Sequence, residues 1–252
     1  MPASPLTGKW IVVTRPEHQA ESFTKKCQKV GGCLLHFPLI AITSLNDDIT
    51  KQKLSKLNTY EMLIFVSANA VEQFIKHIDK EALANKILVT TGQKTARALT
   101  DNGLTVDFCP DKLFNSEALL AVEGFKATAK NKNIAIIRGS GGRDYLRNSL
   151  NDNAANIDYI DVYSRHCPQQ NLNELKTAWQ ADKLDVVVLT SASSTANFFA
   201  LAKNEDWMNE LTVLIGSPRM ENKIPERFKG KILIAEDPSD ETIFNKLTLE
   251  LI

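Results

Sequence analysis

The sequence predicts an α/β protein of two similar, doubly wound domains, each built around a parallel β-sheet. The first reason is that short apolar runs rich in valine and isoleucine alternate with segments of helical periodicity along the 252 residues. Uninterrupted apolar strands of this kind are typical of parallel sheets that helices cover on both faces. The second reason is an internal repeat, in which the same strand endings recur at a nearly constant spacing.

The first strand is predicted by the apolar run 10–13. Thr14 and Glu17 predict a capping box at the start of the helix that follows. The apolar positions of this helix, up to the glycine pair that ends it, are Ala20, Phe23, Cys27 and Val30. The other predicted strands lie at 33–42, 62–66, 86–90, 104–108, 133–137, 156–163, 185–190, 211–215 and 231–235. Helices are predicted in most of the gaps.

The repeat relates the second quarter of the chain to its last third. Ser67 and Ser191 each follow an apolar strand and precede an alanine, and they lie 124 positions apart. The same offset relates three more pairs, which are Phe74 and Phe198, Gly92 and Gly216, and Glu117 and Glu241. Chance similarity among α/β units is the alternative explanation, but an offset shared by several elements favours a duplicated domain.

The repeat also predicts where the domains begin and end. One domain is expected to be discontinuous and to combine 1–35 with 168–252, whereas the other is expected to span 43–155. The chain would then cross between the domains twice, at 36–42 and at 156–167. Two extended segments that run in opposite directions predict a two-stranded antiparallel β-ladder. Such a ladder would serve as an interdomain hinge.

Composition and charge exclude several classes of protein. The 30 Lys and Arg residues balance 30 Asp and Glu residues, which argues against bulk nucleic-acid binding. No apolar run is long enough to span a membrane. The N-terminal residues lack the basic-then-apolar order of a secretion signal, so we expect a cytoplasmic protein. Four cysteines and four histidines are scattered without metal-ligand spacing, so neither a metal site nor disulfides are expected.

Candidate binding residues follow the ends of the predicted strands, where ligands bind in open parallel sheets. They are mostly small, hydroxylated or basic, and they precede helices whose free N–H groups suit carboxylates or phosphates. The candidates are Arg15, Ser67, Ala68, Asn69, Gly92, Gln93, Lys94, Thr95, Arg138, Gly139, Arg143, Ser191, Ser193 and Ser194. Taken singly, each turn also fits an ordinary helix cap, as Asn69 with Glu72 illustrates.

The glycine-rich run 138–143 has an arginine at each end. It lacks the Lys-Ser/Thr ending of a Walker loop and the spacing of a dinucleotide-binding fingerprint, so nucleotide binding is not favoured. Arg138 and Arg143 suit carboxylate binding, and a solvated loop is an equally good interpretation of the run.

Motifs in the same order along nearly the whole chain resemble those of the uroporphyrinogen-III synthase family. They are Ile11-Val12-Val13-Thr14-Arg15-Pro16, Phe65-Val66-Ser67-Ala68-Asn69-Ala70-Val71, Gly92-Gln93-Lys94-Thr95-Ala96, Arg138-Gly139 with Gly142-Arg143 and Leu146, Val162-Tyr163, and Leu189-Thr190-Ser191. The chain departs from the family pattern at 153–156 and at 217–220, which puts the contacts of those two turns in doubt.

The resemblance implies that the chain cyclises hydroxymethylbilane to uroporphyrinogen III, with ring D inverted through a spiro intermediate, in haem biosynthesis. It implies an enzyme without metal or organic cofactor, and Tyr163 as the group that donates a proton to the leaving hydroxyl. Without the resemblance, the local sequence favours a structural role for Tyr163, as a half-buried tyrosine of a strand. We also expect a monomer, with no nucleic-acid or membrane partner, that receives its substrate by transient hand-over from hydroxymethylbilane synthase.

The alternative is a non-enzymatic, hinged two-domain protein that binds a small polycarboxylate ligand.

Overall fold

The structure is a computed structural model that describes residues 4–151, 156–203 and 205–251. The chain divides into two compact units, one formed by Met1–Ala41 with His166–Ile252 and the other by Ile42–Arg165. The turn at 153–155, where the sequence departs from the family pattern, lies outside the described residues.

Each unit alternates strands and helices along the chain. The strands are β1 (Trp10–Val13), β2 (Cys33–His36), β3 (Ala41–Ser44), β4 (Met62–Phe65), β5 (Ile87–Thr90), β6 (Asn133–Gly139), β7 (Asn156–His166), β8 (Val186–Leu189), β9 (Thr212–Ile215) and β10 (Lys231–Ile234). The helices are α1 (Glu17–Gln28), α2 (Asp48–Ser55), α3 (Ala68–Ile75), α4 (Gln93–Thr100), α5 (Ser116–Leu120), α6 (Phe125–Ala129), α7 (Tyr145–Leu150), α8 (Leu172–Gln180), α9 (Ala192–Leu201) and α10 (Asp240–Glu250). Short 3-10 helices lie at Leu57–Thr59, Lys80–Leu83, Asp206–Glu210 and Pro218–Lys223.

The two sheets share one topology, which confirms the repeat. The order is β10-β9-β8-β1-β2 in the first unit and β3-β7-β6-β4-β5 in the second. Strands β9, β8, β1 and β2 thus occupy the positions of β5, β4, β6 and β7, and the pairs that join these strands are parallel. The position of β10 is taken in the second unit by a single parallel bridge from Val89 to Phe108.

The prediction of a strand at 104–108 is therefore wrong. The carboxylate of Asp107 accepts a hydrogen bond from the Leu88 backbone N–H at 2.8 Å, in place of a backbone carbonyl. Pro110, which has no N–H, follows two residues after Phe108. The ladder is thereby reduced to one bridge.

Two other local predictions need correction. The predicted strand at 33–42 is divided into β2 and β3, and Pro38 lies between them. The capping box predicted at Thr14 and Glu17 is absent, because α1 has Pro16 at its N-cap without a side-chain cap. The buried hydroxyl of Thr14 instead donates to the Val188 carbonyl at 2.7 Å, between neighbouring strands.

Strand β7 carries most of the segment predicted as the second connection, 156–167. It pairs with β6 from Asn133↔Asn156 to Gly139↔Tyr163, so this segment is also an interior strand of the second sheet. The register shifts between Arg138 and Gly139, which indicates a β-bulge there. The interdomain ladder and its function as a hinge stay predictions.

Both faces of each sheet are buried, as the uninterrupted apolar strands predict. In β4, Leu63 and Phe65 pack with the cluster that contains Phe74 and Leu99. The alternating residues of this strand face a second cluster, which contains Leu119, Phe125 and Leu150. Because the paired strands β5, β4, β6 and β7 run parallel, their carboxyl ends lie along one edge of the sheet.

The thiol of Cys27 lies in the core of the first unit, and burial raises its pKa from 9.0 to about 12. Between these values the unfolded chain loses a proton that the folded chain keeps. The free energy of unfolding should therefore fall as the pH rises above 9, by up to about 1.4 kcal/mol per pH unit from this group. Urea denaturation at pH 7, 9 and 10 tests this. Compared with the wild-type protein, Cys27→Ala should have a lower free energy of unfolding at pH 7 and a smaller decrease in that free energy as the pH rises. A slope for Cys27→Ala equal to that of the wild-type protein would contradict the assignment.

Candidate active site at the carboxyl edge of the second sheet

Three strand ends of the second unit bring small and hydroxylated residues to one edge. Ser67 follows β4, Gly92 follows β5, and Gly139 ends β6. Because β4 is parallel to both neighbours, these residues lie at the same carboxyl edge. The Ser67 hydroxyl caps α3 by accepting from the Ala70 N–H at 3.1 Å, so the cap is not made by Asn69.

Tyr163 joins this edge from β7 and is 1% exposed. Its hydroxyl oxygen lies 3.1 Å from the Ser67 Oγ and accepts a hydrogen bond from the Arg165 Nη2 at 2.6 Å. The tyrosine is more deeply buried than the half-buried strand residue that sequence reasoning favours. It belongs to the same core cluster as Phe65 and Val162, and only its polar end meets hydrogen-bonding groups.

Gly139 makes room for the ring of Tyr163. A Cβ atom at this glycine would lie 2.5 Å from the Cε2 and Cζ atoms of Tyr163. Further along the run, Gly141 and Gly142 have φ angles of 76° and 120°, a region that favours glycine. The glycines of this run are thus explained by packing and backbone conformation.

The two arginines of the run differ in their surroundings. The Arg138 side chain is 15% exposed, and its Nε donates to Asp161 at 2.9 Å. It also lies 3.4 Å from the ring centroid of Tyr159. Arg143 is 68% exposed and donates to Glu117 at 2.8 Å. The pKa of the Glu117 carboxyl is lowered, chiefly by this hydrogen bond.

The turn before α4 combines a tight contact with exposed polar groups. A Cβ atom at Gly92 would lie 2.8 Å from the Cβ of Phe114, so this glycine admits an exposed aromatic residue beside the helix start. Gln93 and Lys94 are exposed, whereas Thr95 is buried. Ala68, the first residue of α3, and Asn69 are half-buried.

The predicted site residues of the first unit are placed in the equivalent turns. Ser191 caps α9 in a reciprocal capping box with Ser194, and Ser193 is exposed in the first turn of that helix. Arg15 forms an ion pair with Asp240 and donates to the Thr190 hydroxyl at 3.1 Å. Its guanidinium also donates to the backbone carbonyl of Pro238. Arg15 therefore links neighbouring turns of its own unit.

A separate cavity of about 290 Å³ lies in the first unit and contains none of the predicted site residues. It is formed by the segments that precede β9 and β10, with Phe199 and Phe228 among its lining residues. In the described ranges, no group of three or more His, Cys, Asp or Glu is arranged to hold a metal ion. No helix among those same residues is long and apolar enough to cross a membrane.

Comparison with known proteins decides the family. A sequence model of the family described as uroporphyrinogen-III synthase HemD matches residues 21–245. This chain belongs to the uroporphyrinogen-III synthase family. The assignment confirms the family and the class of enzyme predicted from the sequence, an enzyme of tetrapyrrole biosynthesis. It does not favour the alternative of a non-enzymatic binding protein.

Individual relatives support the family assignment. The porphyrin biosynthesis protein HemD of Ruminiclostridium josui is 24% identical over 249 residues, which cover 96% of this chain and 49% of that protein. This chain thus spans about half the length of that relative. The uroporphyrinogen-III synthase of Escherichia coli K12 is 25% identical over 246 residues, which cover 94% of this chain and 99% of the relative.

A solved structure shows the same fold. The uroporphyrinogen-III synthetase of Helicobacter pylori 26695 superposes with a TM-score of 0.61 at 18% identity. The superposition covers 97% of this chain and 100% of that one.

Sequence reasoning about this member of the uroporphyrinogen-III synthase family missed Arg165 and Asp161. Arg165 is two positions after Tyr163 on one strand, so both side chains lie on the same face. Asp161 is paired with Arg138 across β6 and β7. Alternation along the strand was the available signal for Arg165, whereas the ion pair depends on a strand register that the sequence does not display.

The close packing of Gly139 against Tyr163 gives a prediction about stability. Gly139→Ala should lower the free energy of unfolding by about 1–3 kcal/mol, because the added methyl group overlaps the ring. In a Tyr163→Leu background the ring is gone, so the same substitution should cost much less. Urea denaturation of the four proteins in this cycle measures the coupling, and an unchanged cost in the leucine background would contradict the steric explanation.

Proposed function

We propose that this chain cyclises hydroxymethylbilane to uroporphyrinogen III at the carboxyl edge of the second sheet, with Tyr163 as the general acid. One observation carries the proposal, which is that the hydroxyl of Tyr163, on β7, lies beside the ends of β4 and β6, between Ser67 and Arg165. Buried hydrogen-bonded hydroxyls in an otherwise apolar cluster are suited to proton transfer because water does not compete there.

The reaction needs little more than one proton donor and a shaped surface. Protonating the terminal hydroxyl of the bilane releases water and leaves an azafulvene cation, which the electron-rich pyrrole of ring D attacks at its substituted carbon. The resulting spiro intermediate fragments and recloses with ring D inverted. A tyrosine phenol is protonated at neutral pH and supplies the first proton. The proton lost by the closing pyrrole restores it.

The fold must also bias the product, because the free bilane closes without help to the isomer in which ring D is not inverted. Holding the terminal ring so that its substituted carbon meets the cation is a positioning task. The acetate and propionate groups of the substrate are the handles for this positioning. Exposed donors at the helix starts of the second unit, among them Lys94 and Arg143, are the groups we assign to bind them.

The proposal extends to the location, partners and domain organisation of the protein. We propose a monomer in the cytoplasm, with no nucleic-acid or membrane partner, that takes hydroxymethylbilane by transient hand-over from hydroxymethylbilane synthase. We also propose the domain boundaries 1–35 with 168–252 and 43–155, joined by hinge segments at 36–42 and 156–167. No metal or organic cofactor has a role in this mechanism.

Tyr163→Phe tests the acid, because it keeps the buried ring and removes only the hydroxyl. We expect kcat for the III isomer to fall by roughly 10²–10⁴-fold, and the I isomer to accumulate as the III isomer is lost. The free energy of unfolding should change by only about 0.5–1.5 kcal/mol. The measurement is the chromatographic separation of the two isomers after oxidation.

Tyr60→Phe is the matched control for this substitution. Tyr60 is also buried, and its hydroxyl donates to Asp158 at 2.7 Å in the same core cluster, away from the proposed site. Its loss should lower stability and leave kcat unchanged. Formation of the III isomer at the wild-type rate by Tyr163→Phe would remove the acid from the mechanism.

The two arginines of the glycine-rich run should respond differently to alanine. Arg143 is exposed and its pair with Glu117 is worth about 0–1 kcal/mol, so Arg143→Ala should raise KM with little change in stability. Arg138→Ala removes the partner of Asp161 and the stacking on Tyr159. It should lower the free energy of unfolding by roughly 1–3 kcal/mol. Steady-state kinetics and urea denaturation check both, and an unchanged KM for Arg143→Ala would favour the solvated-loop interpretation.

A further inference from the structure

We propose that Arg165 is a positioning residue that directs the proton of Tyr163 and stabilises the charge left when that proton is donated. This inference rests on the proposed function, because it assigns to Arg165 a role that acts through the Tyr163 hydroxyl. The guanidinium of Arg165 donates to the phenol oxygen at 2.6 Å, and its carbon lies 5.3 Å from the ring centroid.

The direction of the hydrogen bond follows from the chemistry of the two groups. A guanidinium has N–H donors and no acceptor, so the phenol oxygen must accept from Arg165. The single proton of the phenol is then left for another acceptor. The Ser67 Oγ, 3.1 Å away, is the acceptor that the described residues place within reach.

Ser67 continues this chain of donors toward the edge of the sheet. Its oxygen accepts from the Ala70 N–H and, by the argument above, from Tyr163. Its own proton is therefore free to point to a ligand. Because Ser67 is half-buried while Tyr163 is 1% exposed, we infer that the acid proton reaches the substrate through the serine hydroxyl.

The proton balance of this step is complete. Ser67 gives its proton to the leaving hydroxyl, which departs as water, and takes the proton of Tyr163. The negative charge then resides on the Tyr163 oxygen, next to the Arg165 cation. The proton that the closing pyrrole later releases returns along the same path.

The charge of Arg165 is available for this role. Arg138, on the neighbouring strand, is held by the carboxylates of Asp161 and Asp144. In the described part of the chain, Arg165 has no carboxylate within 4.0 Å, and its hydrogen bond is to the phenol. A cation that faces a buried oxygen stabilises the charge that develops there during proton donation more than it stabilises the neutral phenol.

A double-mutant cycle tests the inference in the full-length protein. Arg165→Gln should lower kcat for the III isomer by roughly 10²-fold, the loss typical for one donor to a developing charge, and should leave KM nearly unchanged. Arg165→Lys keeps a cation and should recover part of that loss. In the Tyr163→Phe background, Arg165→Gln should cause no further loss. Arg97→Gln, at an exposed position on α4, is the control for removing a guanidinium and should behave as wild type.

The outcomes separate this inference from the proposed function. If Tyr163→Phe keeps the wild-type rate, the proposed acid fails and the inference fails with it. If Tyr163→Phe is impaired but Arg165→Gln keeps the wild-type kcat, only the inference is overturned. It is also overturned if the Arg165→Gln loss is equal in both backgrounds or lies in KM alone, because the arginine would then bind substrate directly. Urea denaturation of each variant shows whether it is folded, and Arg165→Lys provides the kinetic comparison if Arg165→Gln is not.

Discussion

The contact between Tyr163 and Gly139 is the constraint on which the rest of the candidate site depends. A residue with a Cβ at position 139 would overlap the ring, so the tyrosine occupies the sheet edge only because the neighbouring strand ends in glycine. The β-bulge at this point matters equally. Strict alternation would direct Tyr163 to the face that carries Tyr159, but the register shift places it with Ile160 and Val162 on the opposite face. The hydroxyl reaches Ser67 for that reason.

The two units share one topology, but the carboxyl edges of their sheets carry different side chains. Ser67 and Ser191 cap equivalent helices, and Arg15 and Arg138 lie close to the carboxyl ends of the equivalent strands β1 and β6. In the first unit, the arginine is bound by Asp240 and the neighbouring turns. In the second unit, Arg138 forms an ion pair with Asp161, and Tyr163 lies between the strand ends. The shared parts are the backbone and the caps, whereas Tyr163, the proposed acid, lies in the second unit.

Apolar patterning predicted the strands and the repeat because burial on both faces leaves a strong signal in each strand. The same signal gave a wrong prediction at 104–108. This segment is apolar enough for a strand, but the side chain of Asp107, not a backbone carbonyl, accepts the hydrogen bond from the Leu88 N–H. The strand ends were predictable as positions, and Ser67 and Ser191 lie where expected. The partners of Arg138 and Arg143 were not predictable. Asp161 and Glu117 come close to them only through the strand register and the tertiary packing. The bulge that turns Tyr163 inward depends on a one-residue shift that no residue type signals.

The shared topology has a consequence for the order in which the chain folds. The backbone N–H of Trp10 donates a hydrogen bond to the side chain of Asp185, 175 residues away in the sequence. The corresponding hydrogen bond of the second unit, from the Asn133 N–H to Glu61, spans 72 residues. Closing a longer loop costs more entropy, and this cost must be met before the contacts between the ends of the loop stabilise the chain. The second unit is an uninterrupted insertion between β2 and the later strands of the first. We expect its formation to shorten the effective loop that the first sheet must close, so that the unit with the candidate acid folds first and assists the folding of its counterpart.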